Sequence, residues 1–161
     1  MRAFDTPRRS TINHWHAHST VATVVERDGK FLLVYELAEG RQVYNQPAGH
    51  LEQGENLVEA ARRETLEETG WEVEITGLVS ISLYTAPDNG ITYHRTTFAA
   101  RPLHQVPGRK LDTDIIAAQW LTAEEIYARR DQLRSPLVLL AIEGYRTGKL
   151  YSLEILQDPS P

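Results

Sequence analysis

The segment from Gly49 to Trp71 constrains this chain more than any other. Between Glu52 and Glu74 stand eight acidic residues (52, 55, 59, 64, 67, 68, 72 and 74) of the chain's 22, opposed only by Arg62 and Arg63. A proportional share would be about three, so charge is concentrated here. Leu57, Ala60, Ala61 and Leu66 recur at helical spacing over Asn56 to Thr69, and Gly70 follows as a stop. That pattern predicts a helix whose apolar set anchors it to a sheet. Glu64, Glu67 and Glu68 fall at i, i+3 and i+4, on one side of that helix and mostly away from the apolar set. Like charges so spaced repel by about 0.2–0.5 kcal/mol per pair. Two readings fit: a solvated acidic face, or a face whose repulsion a divalent cation offsets. Oxygen-only donors in a chain without cysteine favour a hard ion, Mg²⁺ or Mn²⁺.

The surrounding sequence supplies the sheet. Ser19 to Val25 is β-branched and alternating, Asp28-Gly29 follows, then Phe31 to Tyr35, which reads as a hairpin. Val73 to Leu83, Ile91 to Ala100 and Ile115 to Leu121 are further extended stretches, with a turn signal at Asp88-Asn89-Gly90. Thr122-Ala123-Glu124-Glu125 has capping-box form and predicts a helix through about Asp131. Ser135-Pro136 predicts an N-cap for a third helix ended by Gly148. Strands interleaved with helices indicate an α/β sandwich.

At 161 residues, 41% apolar and 24% charged, the chain suits one domain, here residues 14–155, with an N-terminal arm over 1–13 and a flexible tail over 156–161. The longest strictly apolar run, Leu137 to Ile142, is far too short to span a membrane. Met1 to Asp5 carries no apolar leader, so a cytoplasmic protein is expected. A net charge of −5 argues against a binder of nucleic-acid polymers.

The acidic segment resembles the signature of the Nudix hydrolases, G-x5-E-x7-R-E-U-x-E-E-x-G-U. Gly49, Glu55, Arg63, Glu64, Glu67, Glu68 and Gly70 match every exactly specified position. Seven chance matches come to about 10⁻⁸ per placement, so coincidence is excluded. Thr65 stands where a bulky aliphatic is usual, and Trp71 is large for the last apolar position. Tyr44 to Glu52, Asp112 to Ile115 and Arg134 to Val138 are further similar to the NudJ-type phosphatases within that family, and His50 replaces its usual second glycine.

The resemblance implies an α/β/α sandwich with a mixed sheet and a loop–helix–loop catalytic motif. It implies Mg²⁺-dependent hydrolysis (Mn²⁺ as an alternative ion) of small organic di- and triphosphates. These are nucleoside di- and triphosphates and hydroxymethylpyrimidine diphosphate, cleaved to monophosphates. The alternatives are a broad house-cleaning nucleotide hydrolase and a non-catalytic nucleotide sensor. Glu64, Glu67 and Glu68 would be metal ligands, completed by a backbone carbonyl at Ala48 or Gly49, with Glu64 close to the attacking water. Glu55 would support the metal site. Arg63 would orient a carboxylate or the loop, because adjacent helical residues do not face each other and it is not expected to stack on Glu64. The implied partner is a small phosphorylated molecule, and the chain is a monomer or homodimer.

Other residues keep two readings. Asp112 and Asp114 are candidate general bases or a turn-forming pair. His50 contacts a phosphate or caps the loop. Arg134 and Ser135 present an anion site at a helix N-terminus, or Ser135 is a plain N-cap. His14, His16 and His18 share a strand face, where ordinary surface alternation competes with a transition-metal site. Trp15, Tyr84 and Tyr93 stack on a substrate ring or pack in the core.

Overall fold

The computed structural model describes residues 15–158. The expected arm and His14 lie outside them. Asp28 and Gly29 take φ of 54° and 76°, the left-handed pair that a two-residue hairpin turn demands. They join β1 (His18–Arg27) to β2 (Lys30–Ala38). The two strands pair at Glu26↔Phe31 and Arg27↔Lys30 and then part. β1 continues antiparallel to β4 (Ala48–His50) on one side and parallel to β6 (Thr92–Gln105) on the other. β2 pairs antiparallel with β3 (Arg41–Asn45) and β7 (Ile115–Thr122). β5 (Trp71–Thr85) pairs antiparallel with β6, giving the order β3-β2-β1-β6-β5 with β4 on β1 and β7 on β2.

Helices cover both faces, which makes the expected α/β/α sandwich. α1 (Leu57–Thr69) packs on β1, β4 and β5. Its core joins Ala60 and Ala61 to Val21, Val25, Val73 and Phe98. On the other face α2 (Ala123–Ala128) and α3 (Leu137–Arg146) bring Ile126, Val138, Ala141 and Ile142 onto Val24, Phe31 and Leu33. Leu153 and Leu156 pack against the α1 core. No helix among the described residues is long and apolar enough to cross a membrane.

α1 is closed at both ends. Asn56 Oδ1 accepts from the Val58 and Glu59 amides at 3.0 Å each, and Glu59 accepts in return from the Asn56 amide at 2.9 Å. A cap of this kind stabilises a helix by about 1 kcal/mol. Gly70 ends it in the left-handed region at φ 73°.

Several local expectations change. Leu66 is not part of the anchoring face. It lies half a turn away from Leu57, and the buried stripe is Ala60, Ala61, Glu64, Thr65, Glu68 and Thr69. Glu64 and Glu68 therefore continue the anchoring stripe instead of avoiding it, because positions 57, 60, 61, 64 and 68 follow one helical face. α2 stops at Ala128 and a 3₁₀ turn covers Arg130–Gln132. Ser135 does not cap α3 with its side chain. Pro136 is the N-cap, with no side-chain cap bond, and the Ser135 carbonyl accepts from the Val138 amide at 3.3 Å.

Candidate active site

Strand β4 and helix α1 bring the site together by close approach. Gly49 sits opposite Val21 in β1 and faces the Glu64 carboxyl group. A Cβ placed on Gly49 would lie 2.1 Å from Glu64 Cδ, so no other residue fits there without displacing Glu64. Glu68, one turn on, accepts a hydrogen bond on Oε2 from the Ala48 amide at 2.9 Å. Thr65, between them, is fully buried. Its hydroxyl donates to the Ala61 carbonyl at 2.7 Å and so accepts from the Thr23 hydroxyl of β1 at 2.8 Å. A polar pair thus replaces the aliphatic contact usual at this position.

Arg63 holds the loop and the carboxylates as one unit. It grips Glu55 in bidentate fashion, Nε to Oε2 at 2.9 Å and Nη2 to Oε1 at 2.7 Å. Nη2 also donates to the His50 carbonyl at 3.0 Å, and Nη1 donates to Glu64 Oε1 at 2.7 Å and Glu67 Oε2 at 3.0 Å. The contact with Glu64 corrects the helical-neighbour argument: the backbone positions diverge, but the long guanidinium bends back to reach its neighbour. The Glu55 hydrogen bond raises the Arg63 pKa, with Glu64 and Glu67 adding to it against the cost of burial. Arg63 in turn holds Glu55 below the usual carboxylate range.

Glu64, Glu67 and Asp112 each offer an oxygen, and the three oxygens lie within 4.8 Å of one another. Asp112 comes from the loop before β7, tied to α1 by its amide donating to the Glu67 carbonyl at 3.2 Å. Glu68 is not one of these three; Asp114 is also outside, and its carbonyl accepts from the Leu37 amide at 2.9 Å. Burial raises the pKa of Glu64, against the pull of Arg63. Burial pushes Glu68 up to about 9, with the Ala48 amide opposing and Glu36, Glu64 and Asp112 adding to the rise. A crowded set of oxygen donors of this kind, running from buried Glu64 through half-buried Glu67 to exposed Asp112, fits a hard divalent cation, whose charge would relieve the repulsion.

Beside this cluster, where β1 and β2 part, opens a cavity of about 270 Å³. Ala48, Gly49 and His50 form the wall it shares with the carboxylate site, and Tyr84 and Tyr93 also line it, the Tyr93 ring 6.3 Å from that of His50. Its inner end is a chain of polar groups in which Glu36, Asn45 and Arg95 are buried and Arg134 is exposed. Arg95 donates to Asn45 Oδ1 at 3.4 Å, Asn45 Nδ2 donates to Glu36 Oε1 at 3.2 Å, and Arg134 Nη1 lies 3.5 Å from the same Glu36 oxygen. Burial raises the Glu36 pKa, while Arg134, Asn45 and Arg95 restrain the rise.

The structure therefore gathers Gly49, His50, Glu55, Arg63, Glu64, Glu67, Glu68 and Asp112 together, with Arg134 and Ser135 in the lining of the adjoining cavity. His50 Nε2 lies 3.2 Å from His18 Nδ1, and His16 stacks on His18 at 6.3 Å. The metal-like cluster among the described residues is the carboxylate trio, not these imidazoles. Trp15 is 75% exposed, neither core nor cavity lining. Glu36, Asn45 and Arg95 were not legible as site residues. Each sits in a strand where a polar residue usually faces water, and only the register of distant strands turns them inward.

Comparison with known proteins identifies the family of the chain. The family model of the NUDIX domain matches residues 15–140. Phosphatase NudJ from Shigella boydii is 43% identical over 141 residues, covering 88% of this chain and 91% of that protein. Phosphatase NudJ from Escherichia coli is similar to the same extent. A NUDIX hydrolase from Nitrosomonas europaea superimposes with a TM-score of 0.87 at 46% identity, over 89% of this chain and 97% of that one. With its signature residues assembled around one carboxylate cluster, the chain belongs to the Nudix hydrolase family and is an enzyme of that family.

Proposed function

We propose that this protein is a Mg²⁺-dependent phosphoanhydride hydrolase. Its substrates would be small organic di- and triphosphates, among them nucleoside di- and triphosphates and hydroxymethylpyrimidine diphosphate, cleaved to monophosphates. The observation that carries the reading is the convergence of Glu64, Glu67 and Asp112 oxygens within 4.8 Å beside a cavity large enough for a single substituted ring. The relatives named phosphatase support the reaction class.

In this reading Glu64, Glu67 and Asp112 hold the cation, with Glu68 and the Gly49 carbonyl alongside. When bound, the cation supplies positive charge against the phosphate oxygens. Arg63 orients the Glu64 carboxylate through Oε1, close to the attacking water, whose proton passes to a neighbouring carboxylate. The water oxygen forms a bond to phosphorus as the bridging P–O bond breaks, and the bridge oxygen leaves with the second phosphate. Glu55 positions Arg63, and His50 and Arg134 face the anionic substrate from either side of the cavity. Asp114 supports the loop that carries Asp112, and Ser135 lines the binding cavity.

The test is phosphate release from a nucleoside diphosphate panel and hydroxymethylpyrimidine diphosphate with Mg²⁺, read as kcat/KM. Cleavage of these substrates by the wild type and its loss in EDTA are expected. No turnover of any phosphoanhydride with Mg²⁺ or Mn²⁺ contradicts the reading.

A further inference from the structure

Arg95 is the most buried cation of the cavity. It is 7% exposed and faces the lumen. Its guanidinium carries five N–H donors, and a single long hydrogen bond to Asn45 at 3.4 Å uses one of them. At the other end of the same polar chain, Arg134 makes one side-chain contact at 3.5 Å, to Glu36. Two guanidinium groups with spare donors thus line one small space.

The sheet register fixes where that space lies. Arg95 pairs with Thr20, and Thr20 pairs with His50, so the three side chains share the face that lines the cavity. The Arg95 and His50 backbones are two strand spacings apart, about 10 Å. An extended arginine and a diphosphate together bridge such a gap. Burying a guanidinium is costly unless acceptors or counter-charges meet it. Among the described residues no Arg95 nitrogen is a buried orphan, so the donors that Asn45 leaves unused open onto the lumen, with Glu68 and Glu36 as the nearby counter-charges. A phosphoryl group offers several anionic oxygens to such a fork.

We infer that Arg95, with Arg134, is a phosphoryl-binding residue that holds the substrate phosphate lying farther from the Glu64, Glu67 and Asp112 cluster. This rests on the phosphoanhydride reading above and adds to it a reason for preferring a diphosphate or longer chain over a single phosphate ester. The competing role is structural: Arg95 as the counter-charge that keeps Glu36 and Glu68 tolerable in the interior.

The experiment is calorimetric titration of inorganic pyrophosphate into the full-length protein in EDTA, so that binding is read without turnover. It compares wild type, Arg95→Lys, Arg95→Met and the double variant Arg95→Met/Glu36→Gln, with melting curves for each. Affinity is expected to fall about tenfold in Arg95→Met and less in Arg95→Lys, which keeps charge but not the fork. The double variant is expected to regain melting temperature but not affinity. With a nucleoside diphosphate and Mg²⁺, KM is expected to rise more than kcat falls. Unchanged pyrophosphate affinity in folded Arg95→Lys and Arg95→Met overturns the inference, as does recovery of affinity in the double variant. Wild-type protein that binds pyrophosphate through Arg95 yet hydrolyses no phosphoanhydride sinks the hydrolase reading and leaves this binding role standing.

Discussion

Gly49 and Glu64 are packed so tightly that the strand residue has no room for a side chain: an added Cβ would come within 2.1 Å of the Glu64 carboxyl carbon. The strand and helix that carry them are each fixed elsewhere, β4 by pairing with β1 and α1 by its caps. Gly49→Ala is therefore expected to push the Glu64 carboxylate out of the cluster while leaving the fold intact. Activity should fall about 100-fold or more, since misplacing a reacting group by about 1 Å costs that much. Circular dichroism and kcat/KM on one sample check it.

Arg63 ties Glu55 to both Glu64 and Glu67. Glu55→Gln removes one charge and one acceptor from the bidentate grip without touching the cluster. Loss of a supporting group of this sort costs about 10–100-fold, and kcat is expected to fall within that range. Arg63→Lys should be worse, because an ammonium cannot serve Glu55, Glu64, Glu67 and the His50 carbonyl from one plane. Steady-state kinetics at saturating Mg²⁺ separates a change in kcat from weakened cation binding.

Buried protons should make the cation-free protein less stable at alkaline pH. Glu68 keeps its proton up to about 9 when folded, against an ordinary value of 4.5. Between those values the folded state binds a proton that the unfolded chain has released, so stability falls as pH rises. The raised pKa values of Glu36 and Glu64 act with the same sign. Glu55, held low by Arg63, acts oppositely, and its contribution is lost only as pH falls below its ordinary value. In EDTA the melting temperature is expected to decline from about pH 5 to about pH 9, and excess Mg²⁺ to flatten the slope. A melting temperature that climbs across that window in EDTA would contradict the burial argument.

Thr65 and Thr23 make a test of the core. Thr65→Val leaves the Thr23 hydroxyl buried with no acceptor, because Thr65 receives its hydrogen bond. The cost is expected at about 1–3 kcal/mol. Adding Thr23→Val removes the orphan and should recover much of that loss, a coupling that a double-mutant cycle in urea measures.

These contacts also show what a linear reading can reach. The helix over 57–69, its Gly70 stop and the Asp28-Gly29 hairpin follow from local spacing and backbone preference, and the signature residues within the helix could be named from type and interval alone. Leu66 lies off the anchoring face, and four apolar positions do not fix that stripe when glutamates and threonines complete it. β3 and β4 are five and three residues long, too short to show alternation, and are made by pairing with distant partners. Arg95 and Asn45 become cavity residues only through that pairing. Asp112 was one of two equivalent aspartates on paper; the hydrogen bond from its amide to Glu67 separates it from Asp114.

The most direct measurement is orthophosphate release from a nucleoside diphosphate across a Mg²⁺ titration, wild type against Glu67→Gln. A cation held by Glu64, Glu67 and Asp112 requires the variant to need far more Mg²⁺ and to lose about 100-fold or more in kcat/KM. Equal rates and equal Mg²⁺ dependence in both proteins would show that this carboxylate cluster is not where the reaction happens.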